Sequence, residues 1–425
     1  MRRRFIFRNE SNLYKRKCDF SGKEIFSMFS SKAPVKVYDR DIWNSDKWDP
    51  IEYGMKYDFN KSLFDQFNKL LKKIPFFSRS VRDLVNSDYC INTSRLKNCY
   101  LIFNTNDSEN CAYGIKLNKT KDSFDNYDII KSELCYQSFV LVNCYKTLFS
   151  LYCTDCQEVY FSKDCQNCQN CFGCTNLRHK KYHIFNKPYT KEKYEEKLKE
   201  FNLGSYRSIT ELKEKVKKLH LKYPNKYMHG NKNSKVSGDY IYNSKNVFNS
   251  FSIKDGENLK YCQFLDFKPG AKDCYDHSSW GENVISTYEV WGSGSGLNSV
   301  KFCFWIYPDC QNLEYSISCG SSSNLFACVG LRHKQYCILN KQYTKEEYNE
   351  LVPKIKKHMN DMPYTDKKGR VYRYGEFFPT ELSPFGYNET IANEYFPLTK
   401  EEAIEQGYNW YDKPKNEYKP TIKAS

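Results

Sequence analysis

A chain of 425 residues is long enough to bury one large core or two to three ordinary ones, so its 19 cysteines are not needed as staples for a small fold. No run of about 18 apolar residues occurs and the N-terminus lacks the apolar stretch of a signal peptide, which excludes a spanning helix and sets the expectation of a reducing, cytoplasmic protein or one carried within a particle. An odd cysteine count in that setting argues against a disulfide framework and leaves buried thiols or metal ligands, while the formal charge of +15 bears on partners rather than on fold.

The charge begins early. Residues 1–17, "MRRRFIFRNESNLYKRK", hold Arg2, Arg3, Arg4, Arg8, Lys15, Arg16 and Lys17 against the single acid Glu10, with Phe5, Phe7 and Tyr14 interleaved. Basic groups that follow a phosphate backbone, with aromatics as a stacking surface, make these seven residues candidate nucleic-acid ligands. A solvated basic terminus or a targeting segment has the same composition. Next, "KSLFDQFNKLLKKIP" places Leu63, Phe64, Phe67, Leu70, Leu71 and Ile74 on one helical stripe that ends at Pro75.

From Cys90 onward the cysteines keep a rhythm. Cys90, Cys99, Cys135, Cys144 and Cys153 are separated by nine or multiples of nine, Cys156, Cys165 and Cys174 form a second such series, and Cys310, Cys319, Cys328 and Cys337 a third. All eleven cysteines from Cys90 to Cys174 also share one three-residue phase. Neither a helix nor a plain strand gives that spacing, whereas a short strand plus a turn, repeated, does. Nine of the 19 cysteines directly follow Asn or Asp, residues that accept a left-handed corner and let a small thiol point inward. In the later half Leu or Val takes the same place, in "SKNVF", "GENLKY", "GENVIS", "CQNLEY" and "SSNLF". Interchange of thiol with aliphatic is what packing predicts and ligation does not. The expected fold is therefore mainly β: tandem parallel β-solenoid units with helical caps and an irregular basic N-terminal segment.

The chain repeats its own closing phrase. "CTNLRHKKYHIFNKPYTKEKYEEKL" at Cys174 returns as "CVGLRHKQYCILNKQYTKEEYNELV" at Cys328, offset by 154 residues. Helices are expected from Thr190 and from Thr344, the latter with a capping box to Glu347, over Ile209–Tyr223 with a solvated Lys face, and over Leu398–Tyr408. The expected divisions are 1–86 (basic arm and helix), 87–187 (first solenoid unit), 188–235 (helical cap and linker), 236–341 (second unit) and 342–425 (cap and C-terminal segment). Such caps would cover strand edges that otherwise invite aggregation.

Three chemical constellations stand out. Cys153/Cys156, Cys165/Cys168 and Cys171/Cys174 are CxxC pairs, and Cys171, Cys174 and His179 follow part of a zinc knuckle, with His183 one residue short of the fourth position. In the repeat Leu325 replaces Cys171, so a buried thiol ladder with no cofactor is the expectation, and zinc the alternative. The duplicated "LRHK" offers Arg178, His179 and Lys180, echoed by Arg332, His333 and Lys334, as an anion site or as the anchor of a cap; the copying of position and neighbours together favours the anchor. The acids Asp273, Asp276 and Glu282 are scattered, and no P-loop, nucleophile elbow or HExxH occurs.

The phrases "RNESNLYKRKCDFSGKEIFSMFS", "VYDRDIWNSDKWDPIEYG", "CFGCTNLRHKKYHIFNK" and "YGEFFPTELSPFGYNETIANEYFPLTKEEAIEQGY" resemble a cysteine-rich repeat family of bacterial candidate-phyla and environmental sequences, usually flanked by zinc-ribbon segments, over nearly the whole chain. No activity comes with the resemblance. Family members have a CPxC pair before the "RRR" segment where here Cys18 stands alone, so the resemblance implies ribbons either lost or outside this sequence. With no catalytic constellation, the expected function is a non-catalytic binding or scaffold protein docking on a larger, nucleoprotein assembly with protein partners and no membrane insertion. The alternatives are a structural component of a virion or cell-surface particle and a glycan-acting solenoid enzyme.

Overall fold

A computed structural model describes residues 2–414; Met1 of the basic segment and residues 415–425 of the C-terminal segment lie outside it. The chain forms two compact units, one of residues 13–30 and 77–227, the other of residues 2–12, 31–76 and 228 onward. Each unit is built on a parallel β-solenoid, and the protein is mainly β.

The solenoid geometry follows from one backbone choice repeated. In the first unit Asn92, Arg95, Asn98, Leu101, Asn104, Asp107 and Asn110 all have φ between 50° and 58°. A left-handed residue every third position turns an extended chain at fixed intervals, and Asn and Asp accept that conformation at least cost. The residue after each corner faces inward, so Thr93, Leu96, Cys99, Ile102, Thr105, Ser108 and Cys111 are buried in strict sequence. Strands pair in register at an offset of 12, as in Thr93↔Thr105, Leu141↔Cys153 and Cys171↔His183. Three residues per side in a 12-residue coil give four sides and four inward columns. The coil is therefore 12 residues long, not nine.

Nine residues are three of the four sides, so positions nine apart both face inward. Many inward thiols donate to the carbonyl nine residues ahead, one side short of a full coil: Cys144 Sγ to the Cys153 carbonyl at 3.4 Å, Cys156 to Cys165 at 3.4 Å, Cys328 to Cys337 at 3.3 Å. Hydroxyls do the same. Ser150 Oγ donates to the Leu148 and Val159 carbonyls at 2.9 and 3.4 Å and accepts the Ser162 N–H at 3.1 Å. Ser, Thr and Cys are interchangeable with Val and Leu in these columns because small polar atoms inside the coil find backbone partners that a side-by-side ladder leaves with a spare lone pair.

Outside the corners, side chains stack on their equivalents one coil on. Asn86, Asn98, Asn110 and Asp122 form a ladder of amide hydrogen bonds at 2.9–3.1 Å. Lys97 Nζ lies 2.7 Å from Glu109, which also faces Lys121 at 3.9 Å. Leu101 and Val140 adopt the same left-handed corner without an Asn-type side chain.

The second solenoid runs from the strand Gly230–Asn231 to Lys341–Gln342 and is less regular. Leu259 pairs with Cys274 at an offset of 15, Val300 with Leu313 at 13, and Leu325 with Cys337 at 12. Its inward file alternates thiol and aliphatic, with Val247, Leu259, Val284, Leu313 and Leu325 at the positions expected from the sequence, all buried. Aromatic side chains on one outer face are covered by the helix Leu63–Lys73 and by segments from both ends of the chain: Phe64 against Tyr315, Phe67 against Phe378, Phe7 against Phe304.

Both solenoids end alike. The last coil is followed by a short antiparallel strand, Lys187–Pro188 or Lys341–Gln342, and then by the helix Lys191–Glu200 or Lys345–Asp361. At the turn Asn186 accepts the Thr175 N–H at 2.8 Å and donates to its carbonyl at 3.0 Å; Asn340 clasps Val329 in the same way, both at 2.8 Å. This clasp is the physical content of the duplicated phrase.

Candidate nucleic-acid interface

The basic N-terminal segment is not a free arm. Arg4 and Arg8 are buried, Arg4 against Asp276 at 3.1 Å and Arg8 against Glu10 at 2.5 Å. Arg3 meets Glu376 at 2.5 Å and Arg2 Nε donates to the Tyr387 hydroxyl at 3.1 Å. In the other unit, Arg16 donates to Asp19 and to the Ser30 carbonyl. Only Lys15 and Lys17 of the seven are exposed, on the hairpin Tyr14–Lys17/Glu24–Ser27. A guanidinium already desolvated by a carboxylate has no free charge to offer a phosphate.

The cysteines of the dense stretch are inward columns, and all 19 cysteines are buried. Cys171 lies in register with His183, whose Nδ1 is 2.7 Å from the Lys181 carbonyl, while His179 is an exposed left-handed corner. Cys171 and Cys174 face the core and His179 does not, so the four residues of the zinc-knuckle reading do not converge. Among the described residues no group of three or more His, Cys, Asp or Glu stands at metal-binding spacing. Burial pushes the Cys90, Cys135 and Cys310 thiols up to about 11 and Cys262 and Cys337 up to about 12, which keeps them protonated at neutral pH.

The two "LRHK" copies belong to the last coils. Arg178 donates to the Asp164 and Leu177 carbonyls; Arg332 lies 5.2 Å from the Trp43 ring centroid and donates to the Ser45 carbonyl. His333, like His179, is a left-handed corner. Lys180 is exposed and Lys334 Nζ is 3.9 Å from Asp49.

Positive charge also collects on the helix Tyr206–His220 of the first unit and the loop behind it, where Arg207 pairs with Glu211 at 3.0 Å and Lys226 with Asp164 at 2.8 Å. Residues 206–226 carry seven Lys or Arg and two Glu. Ser205 caps the helix, and Leu212 and Val216 anchor it on Phe161, Phe172 and Tyr194. Its lysines reach back over solenoid aromatics: Lys213 Nζ is 4.7 Å from the Phe149 ring and Lys215 Nζ 4.6 Å from that of Phe185. Between helix and solenoid lies a cleft of about 270 Å³ with Phe149, Leu151 and Phe161 on the solenoid side and Lys213, Val216, Lys217 and His220 on the helix side. Lys163 closes one end, its Nζ 2.6 Å from Asn225 Oδ1, and Lys213 Nζ meets Gln137 Oε1 at 2.6 Å. No carboxylate lines it. Burial, then the neighbouring Lys163 charge, lowers the pKa of His220, which therefore stands neutral at pH 7. Counting lysines along 209–223 finds this face but not the aromatic wall opposite it, which comes from residues some sixty positions earlier.

The scattered acids do not assemble a catalytic pair. Asp273 accepts from Asn258, Asp276 faces buried Arg4, and Glu282 accepts from the Trp280 indole. No helix among the described residues is long and apolar enough to cross a membrane. Comparison with protein families and with curated proteins gives no match to this chain.

Proposed function

We propose that the protein is a non-catalytic scaffold that docks on nucleic acid or a nucleoprotein through the basic face of its first unit. The observation that carries this reading is the excess of lysine over acid along 206–226, held over solvent-reachable aromatic side chains by a rigid solenoid. Lysines whose nearest partners are neutral amides keep their charge for phosphate, and displacing counterions there supplies affinity. Thiols buried inside the solenoids suit a reducing compartment, in accord with this role.

The test is RNA and DNA binding across a salt titration. About four phosphate contacts give a log–log slope of about −3 on a single strand. Lys213→Glu/Lys217→Glu/Lys218→Glu, all on the exposed helix face, is expected to lower affinity at least 10-fold. Affinity absent at low salt, or indifferent to salt and to this variant, overturns the proposal.

A further inference from the structure

We infer that the cleft between the first solenoid and the helix Tyr206–His220 holds one nucleotide of a single strand, with its base on the Phe149 ring and its phosphate among Lys163, Lys213 and Lys217. The inference rests on the docking role proposed above and adds what is bound: unpaired strand rather than duplex.

Three features of the cleft point to this ligand. Its floor is apolar and flat: Phe149 stacks on buried Phe161 with ring centroids 4.6 Å apart and an interplanar angle of 26°, and is itself only partly buried. Its rim is cationic with no carboxylate, so a bound anion need displace only the amide contacts of Gln137 and Asn225. His220, neutral at pH 7, lines the inner wall and adds a polar edge to an otherwise apolar surface. An anion with a flat apolar body and polar edges meets all three requirements, and a nucleotide is that chemistry. The Lys213 ammonium now rests over Phe149. A base that replaces it there releases the ammonium to the adjoining phosphate, so the two contacts form together. Bases in a duplex are stacked and paired, their faces out of reach of a ring recessed between helix and sheet, whereas a single strand presents them.

The experiment compares full-length protein binding to a uridine oligonucleotide, the same length of duplex RNA, and a single strand with abasic sugars at every position, at one salt concentration. The expected result is single strand tighter than abasic strand by about 10-fold or more, the scale of one base–aromatic stack, with duplex no tighter than the abasic strand. Phe149→Leu keeps the site apolar and is expected to bring the uridine strand down to the abasic level without changing duplex binding. Because the abasic arm uses the unaltered protein, the outcome does not depend on the variant folding. Equal affinity for uridine and abasic strands, or preference for duplex, overturns the inference and leaves the docking role standing. No binding to any of the three overturns both.

Discussion

His277 is a fully buried titratable group in the second unit, and acid should expose it. It is fully buried, with Nε2 3.2 Å from the Ser293 carbonyl and Nδ1 2.8 Å from the Thr287 hydroxyl. Nε2 donates to the carbonyl and Nδ1 accepts from the hydroxyl, an arrangement complete for neutral imidazole only. Burial lowers its pKa to about 4, and the Arg4 guanidinium nearby opposes protonation too. The unfolded chain takes up this proton near pH 6.5 and the folded chain only near pH 4, so falling pH favours unfolding. Nothing is lost above about pH 7. The penalty is about 1.4 kcal/mol by pH 5.5 and about 3 kcal/mol by pH 4. All six tryptophans, Trp43, Trp48, Trp280, Trp291, Trp305 and Trp410, lie in this unit, so urea unfolding followed by their fluorescence reports on it alone. Carboxylates also titrate in this range, so the quantity to follow is the stability of the protein minus that of His277→Gln, whose amide can make both hydrogen bonds without a proton. That difference should shrink by about 3 kcal/mol between pH 7.5 and 4. Parallel pH profiles for the two proteins would refute the reasoning.

Two further outcomes follow from the backbone partners of the inward side chains. Ser150→Ala leaves the buried Ser162 N–H without its acceptor and should cost about 1–3 kcal/mol in urea unfolding followed by circular dichroism, whereas Ser150→Cys, which mimics the commoner inward residue, should cost less than about 1.5 kcal/mol. Asn186→Ala removes both halves of the clasp on Thr175 and should speed hydrogen exchange at that amide by at least about 10-fold, with amides at the Val81–Val85 end unchanged.

The fold was readable wherever one residue type met one local requirement. Asn or Asp before a small inward residue is a statement about φ, and it holds at Asn98, Asn110, Asp155 and Asn170. The replacement of cysteine by Leu or Val in the second unit read as packing, and Leu313 and Leu325 occupy that column. The coil length is not legible because cysteines mark only some inward positions; Ser, Thr and Val fill the others, so a 12-residue coil of three-residue sides shows a nine-residue spacing of cysteines. The fate of the basic segment was not legible. Arg4 finds Asp276 across more than 270 residues of chain, and no local pattern announces a partner at that distance. The cleft escaped for the same reason: its lysines and its aromatics come from different elements, and neither half alone differs from a solvated helix or an ordinary sheet face.

A solenoid with sides of three residues treats insertions much as a translated message does. Gain or loss of three residues leaves every later residue in its inward or outward phase. A single extra residue must be taken up at a corner. The second unit shows both events: the 15-residue coil with its extra residues in the loop 266–270, and the 13-residue coils where buried positions Ser293 and Leu297, and Ile306 and Cys310, stand four apart instead of three. After each, the phase resumes. Such a frame lets the chain drift in sequence and length while its interior stays in step, and it places the stop outside the count, in the asparagine clasp that ends each run.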